Sequence, residues 1–131
     1  MPFDYFIDKK RRLVVSTGTG VVTGAEIKAH QNRLLADPQF DSAFHQLIDL
    51  TRAAELTATV AEISSCAKRS VFSRDSKRAW VAAIPAIYGM GRLAVAHHEM
   101  SEVPSHAAAF QDIPSAMKWL GLDEPFLQQD H

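Results

Sequence analysis

Nothing constrains this chain more than Phe44-His45-Gln46-Leu47-Ile48-Asp49-Leu50-Thr51-Arg52, a largely apolar run that closes on an acid, a hydroxyl and a base. A short apolar run bounded by polar residues describes a strand covered on both faces, as parallel sheets require. Its polar residues then emerge at the carboxyl end, where open α/β sheets usually meet ligands and partners. The run tells where to look and leaves the chemistry open.

The flanking segments supply the rest of such a sheet. Phe3-Asp4-Tyr5-Phe6-Ile7 and Leu13-Val14-Val15-Ser16-Thr17 are β-rich and joined by Asp8-Lys9-Lys10-Arg11-Arg12, which reads as a hairpin. Gly18 and Gly20 are expected to break the second strand. Thr23 with Glu26 forms a capping box for a first helix, with the ladder Ile27, Gln31, Leu34 and Leu35 and a stop at Asp37-Pro38. The central strand spans about Phe44 to Leu50.

A second helix follows from the ladder Leu56, Val60, Ile63, Ala67 and Val71. Thr59 and Glu62 offer a capping box inside it, or the helix starts a turn earlier. Arg78-Ala79-Trp80-Val81-Ala82-Ala83-Ile84 reads as a strand closed by Pro85, and a third helix covers about Ala86 to His98. His106-Ala107-Ala108-Ala109-Phe110 is a weak strand because alanine has low β propensity. Asp112 caps a last helix carrying Ile113, Ala116, Met117 and Leu120, ended by Gly121. The order β-β-α-β-α-β-α-β-α is an α/β single domain over residues 1–122, its mixed sheet mainly parallel after the opening hairpin. Residues 123–131 read as a frayed tail.

Composition excludes several function classes. With 131 residues the chain can bury a core without disulfides or metal. A net charge of −1 gives no general attraction to nucleic acid or anionic lipid. No apolar run reaches the roughly 18 residues of a spanning helix, so membrane insertion is not expected. Met1-Pro2-Phe3-Asp4 does not resemble the start of a signal peptide, and the lone Cys66 suits a reducing compartment. A cytoplasmic protein is the expectation.

The chain resembles the small bacterial proteins of the STAS-like superfamily, which share the fold of anti-sigma-factor antagonists. The resemblance rests on the opening hairpin, on Leu47-Ile48-Asp49-Leu50 and on Val81-Ala82-Ala83-Ile84. It also rests on the closing Phe110-Gln111-Asp112-Ile113-Pro114-Ser115-Ala116-Met117-Lys118-Trp119-Leu120. It implies a STAS-like fold and a non-enzymatic regulatory or ligand-binding domain. In the antagonists, a serine beside a second hydroxyl residue and a glycine opens the helix after the central strand, and its phosphorylation controls a kinase partner. Here Leu50-Thr51-Arg52-Ala53-Ala54-Glu55-Leu56-Thr57 departs from that pattern. Thr51 and Thr57 are the nearby hydroxyls, and the switch is not carried over.

Two groups of residues are candidates for a ligand or partner site. Arg52 suits an anionic or carbonyl group, with Asp49 orienting it and Thr51 beside them; the bland alternative pairs Asp49 with Arg52 at a strand end. Tyr88, Gly89 and Arg92 are expected to open the third helix, where free amides favour an anion, and the two groups would line one pocket. Gly89-Met90-Gly91-Arg92-Leu93-Ala94 matches G-x-G-x-x-A, but Pro85-Ala86-Ile87-Tyr88 separates it from the strand, so close helix packing is the plainer reading.

Other constellations carry less. His97 and His98 point about 100° apart on a helix and cannot chelate together. His98 reaches Glu102 only if the helix persists that far, and Pro104 argues that it is ending. Cys66 has no local base and reads as a small half-buried side chain. Lys9-Lys10-Arg11-Arg12 reads as a solvated hairpin tip, and Lys68, Arg69, Arg74, Lys77 and Arg78 form a second basic cluster without stacking aromatics.

The sequence therefore points to a non-catalytic module without cofactor or metal. It would engage a protein partner or a small ligand at the carboxyl ends of the central strands. An apolar or anionic small-molecule carrier, with a cavity made by the abundant alanines, is the alternative. A homodimer is compatible with the edge the hairpin leaves.

Overall fold

The computed structural model describes residues 2–69, 71–99 and 106–122. The elements run β1 (Phe3–Asp8), β2 (Leu13–Val22), α1 (Gly24–Ala36), β3 (His45–Leu56), α2 (Val60–Lys68), β4 (Lys77–Val81), α3 (Pro85–His98), β5 (His106–Phe110) and α4 (Ile113–Leu120). This is the expected order. The sheet runs β1-β2-β3-β4-β5, with β1 antiparallel to β2 and every later pair parallel. Glu102, Pro104 and the expected tail from 123 lie outside the described residues.

Strand alternation divides the core. Val15, Leu47, Ala79 and Val81 point to one face, where Ala116, Met117 and Leu120 of α4 cover them. Ile48 and Leu50 point to the other, beneath Ile27 of α1, Ile63 of α2 and Ile87 and Ala94 of α3. A satellite cluster of Val14, Leu34, Phe44, Val71 and Phe72 closes the sheet near α1. One helix thus covers one face and three cover the other.

Local chemistry sets the helix boundaries. Thr23 and Glu26 form a reciprocal capping box at α1, and Thr59 and Glu62 form another at α2. At α4 the Asp112 side chain accepts from the Ser115 N–H at 2.8 Å, and Gly121 ends the helix at φ 81°, a conformation glycine adopts freely. Leu35 stands exposed, so α1 buries Ile27, His30, Gln31 and Leu34 instead.

Three boundaries differ from the sequence reading. Gly18 and Gly20 do not break β2, which runs on to Val22 with register shifts at Thr17/Thr19 and Gly20/Val21. Those irregularities absorb the glycines: Gly20 takes φ 63°, and Gly18 admits the Leu50 side chain, which a Cβ would meet at 2.6 Å. β3 correspondingly continues to Leu56, because Arg52, Ala53, Glu55 and Leu56 find partners on β2. α2 therefore starts only at its Thr59 cap. β4 stops at Val81, and Ile84 precedes Pro85 at the start of α3.

Candidate functional site

Asp49, Thr51 and Arg52 lie inside β3 rather than at its end. The Thr51 N–H and hydroxyl both donate to Asp49 Oδ1, at 2.9 and 2.6 Å. Asp49 thus pins the backbone where the strand becomes irregular. Arg52 is exposed and makes no ion pair among the described residues.

Tyr88, Gly89 and Arg92 do not open α3. Pro85 occupies the first turn, and the Tyr88 N–H already donates to the Ile84 carbonyl at 2.9 Å. The free amides expected there are spent. Gly91 packs on Trp80, with open space around Gly89, so close packing accounts for one glycine of the G-x-G-x-x-A match.

The two groups also face apart. Asp49 is paired with Val81, and side chains at paired positions of parallel strands share a face; Val81 belongs to the α4 face. Tyr88 packs on the opposite face. The depression lined by Tyr88, Arg92, Val95, Ala96, Glu99 and Ala109 contains neither Asp49 nor Arg52.

A different polar cluster lies under α1 and α2, near the amino halves of the parallel strands. Gln46 and Arg78 are register partners on β3 and β4, so their side chains emerge together on the three-helix face. Arg78 Nε donates to Gln46 Oε1 at 2.9 Å, and Gln46 Nε2 donates to Ser16 Oγ at 2.9 Å. The Ser16 hydroxyl, already accepting, turns its proton toward His30 Nε2 at 2.7 Å. Four buried side chains from β4, β3, β2 and α1 thus form one chain of hydrogen bonds with a fixed direction.

Its end groups are unequal. Burial, reinforced by the Arg33 and Arg78 charges, pushes His30 down to about 4, so the imidazole is neutral at pH 7. Burial also lowers Arg78, to about 10, and it stays cationic. The guanidinium lies 5.0 Å from the Phe72 ring centre. Beside it, His98 Nδ1 stands 2.9 Å from the Ala67 carbonyl, which can only accept, so that nitrogen carries a proton and cannot receive one from Arg78. No carboxylate pairs with Arg78 among the described residues.

Arg78 and Gln46 border a cavity that also touches His30 and Gln31, with apolar walls from Ile27, Ile63, Phe72 and Trp80. Gln31 Nε2 donates to the Cys66 carbonyl at 3.0 Å, which fixes the amide's orientation and leaves its buried Oε1 without a donor among the described residues. The cavity is narrow. About 20 Å³ is open to the centre of a water-sized group, where a single water needs roughly 10–15 Å³. Half-buried Cys66 and Trp80 also line it; burial raises the Cys66 thiol, which keeps it protonated.

These residues escaped the sequence reading as a site, although each left a trace. Gln31 stands at an apolar position of the α1 ladder, and Gln46 interrupts the central apolar run. Arg78 stands in the second basic cluster of the sequence and occupies a strand position that faces the core. Among the described residues no cluster of three or more His, Cys, Asp or Glu side chains is placed to hold a metal ion. No helix there is long and apolar enough to cross a membrane.

No protein-family model matches the chain, and no curated protein matches it. A solved structure does. It is an uncharacterized protein of the DUF3478 family with a SpoIIAA-like fold, from Shewanella loihica PV-4. The match covers 90% of this chain and 91% of that one, with a TM-score of 0.57 and 15% sequence identity. The chain has a SpoIIAA-like fold. That is the STAS-like architecture the sequence suggested, and it is compatible with a regulatory or binding module.

Proposed function

We propose that this protein is a non-catalytic, cytoplasmic binding module that takes a small molecule into the cavity between its sheet and helices α1 and α2. One observation carries the reading: a narrow cavity whose wall holds a buried cation without an acid and a buried amide oxygen without a donor among the described residues. Buried polar groups left unmatched cost stability, and such groups are worth retaining where a ligand or an ordered water matches them. The raised Cys66 thiol supports the absence of nucleophilic chemistry there.

The test is a thermal-shift screen of neutral and charged small molecules, followed by the ¹⁵N indole resonance of Trp80 on the cavity wall. A ligand that binds only the folded protein raises its melting temperature by mass action. Fragments that raise the melting temperature and move the Trp80 signal support the reading. A panel that moves neither signal overturns it.

A second reading rests on the β2–β3 ribbon, where exposed Val21 and Arg52, which has no ion pair among the described residues, stand beyond the last β4 pairing at Asp49–Val81. A protein partner would meet the molecule there. Loss of a co-purifying partner on Arg52→Ala, with the melting temperature unchanged, would favour this surface over the cavity.

A further inference from the structure

The cavity's chemistry narrows what it accepts; this step rests on the cavity reading above. We propose that Arg78 and Gln31 form the head site for a small organic monocarboxylate that carries a hydroxyl donor beside its carboxyl group.

The charge count comes first. Arg78 is 6% exposed and has no carboxylate partner among the described residues. His30 at the far end of the hydrogen-bond chain is neutral, so Arg78 is the one cation in that chain. One negative charge balances it; a dianion would leave a surplus charge out of water, which is costly.

Shape comes next. Arg78 uses Nε on Gln46, and His98 Nδ1, 3.5 Å from a terminal nitrogen, spends its proton on Ala67, so the terminal guanidinium nitrogens have no acceptor among the described residues. A guanidinium edge presents parallel N–H groups that match the two oxygens of a planar carboxylate. The narrow cavity suits a head of a few atoms rather than a bulky tetrahedral oxyanion.

The hydroxyl follows from Gln31. Its Oε1 is buried and lacks a donor among the described residues, Gln31 lines the same cavity, and its Nε2 is held by the Cys66 carbonyl. An acceptor fixed in that way repels a bare carboxylate oxygen and rewards an O–H. A site built for a hydroxyl discriminates against the analogue without one, because the protein group is then left unpaired.

The experiment titrates the intact chain at pH 7 with acetate, glycolate, acetamide and inorganic phosphate, following the Arg78 Nε–H and Trp80 indole resonances. Glycolate should bind about tenfold more tightly than acetate, one hydrogen bond's worth, and acetamide and phosphate should move neither signal. Gln31→Leu should erase the preference for glycolate over acetate while leaving acetate binding intact. Arg78→Met should abolish both responses; should that variant not fold, Arg78→Lys keeps the charge, loses the fork, and should weaken glycolate by about tenfold or more. Acetamide or phosphate binding as well as glycolate overturns the proposal, as does a glycolate preference that survives Gln31→Leu. Neutral fragments that shift Trp80 where carboxylates do not would discard the carboxylate site and keep the cavity reading. Silence from every compound would discard both.

Discussion

The Ser16 hydroxyl lies 2.7 Å from His30 Nε2, with both residues buried and the imidazole held neutral. Phe3 and Tyr5 pack their rings on the same imidazole, at centroid distances of 4.6 and 5.3 Å. Protonation would remove the acceptor that Ser16 uses and place a second cation in the cluster with Arg78.

A pH dependence of stability follows directly. His30 titrates near 6.5 in the unfolded chain and at about 4 in the fold. Its contribution is fully present above pH 6.5 and is lost as the pH falls toward 4, because the unfolded state binds the proton first. The loss amounts to about 3 kcal/mol. Urea unfolding at pH 7.5 and pH 4 should show this fall, and His30→Gln should remove that part of the slope whatever its effect on absolute stability.

Gly18 is a packing residue. A Cβ there would meet Leu50 Cδ2 at 2.6 Å and Val22 Cγ2 at 3.0 Å, both inside the main core. Gly18→Ala should cost about 1–3 kcal/mol through overpacking. Denaturant midpoints measure it, and an unchanged midpoint would mean that Leu50 has room to move.

Asp49 and Arg52 should behave unlike one another. Asp49→Ala removes the acceptor of two Thr51 donors and should lower stability by about 1 kcal/mol. Arg52→Ala, on an exposed side chain without a partner among the described residues, should leave stability within about 0.5 kcal/mol. Equal losses in the two variants would show that the residues act together after all.

Tyr5 ties the hairpin to the end of α1 through its hydroxyl, 2.7 Å from Asp37 Oδ2. That bond is the main reason the Asp37 carboxyl lies below its ordinary value, and burial with the same bond raises Tyr5 to about 12. Tyr5→Phe should raise the Asp37 pKa toward the usual carboxylate range. Carbon-detected NMR titration of the Asp37 carboxyl reads this, and an unmoved pKa would assign the shift to the Gln39 amide instead.

The fold was legible because local signals agreed with one another. The capping residues at Thr23, Thr59 and Asp112 carry their own geometry, and the apolar run ending in Leu50 is a strand by length and content. Ala53 to Leu56 misled because alanine and glutamate favour helix, whereas pairing with β2 decides the outcome there. Gly18 and Gly20 misled in the same way: irregular pairing accommodates them where a regular ladder would not.

The candidate site was much less legible. Asp49, Thr51 and Arg52 are close in sequence and were easy to group, yet they share no described cavity with Tyr88 and Arg92. Ser16, His30, Gln46 and Arg78 meet only through the register of three strands and the docking of α1. Gln46 and Arg78 are 32 residues apart in sequence. No local pattern announces such a meeting, although a polar residue at a core-facing position marks each participant.

The chain of hydrogen bonds also bears on assembly. Ser16 and Gln46 are 30 residues apart, so their bond forms only after β2 and β3 have paired. Until β4 joins, Gln46 Oε1 sits in a closing apolar layer with no donor. A one-residue slip of β4 would turn Arg78 toward Ala116 and Met117 on the opposite face, where nothing described accepts from it. Misaligned or half-built sheets are thus penalised at their centre, so the same arginine that borders the cavity also favours the native register of β4.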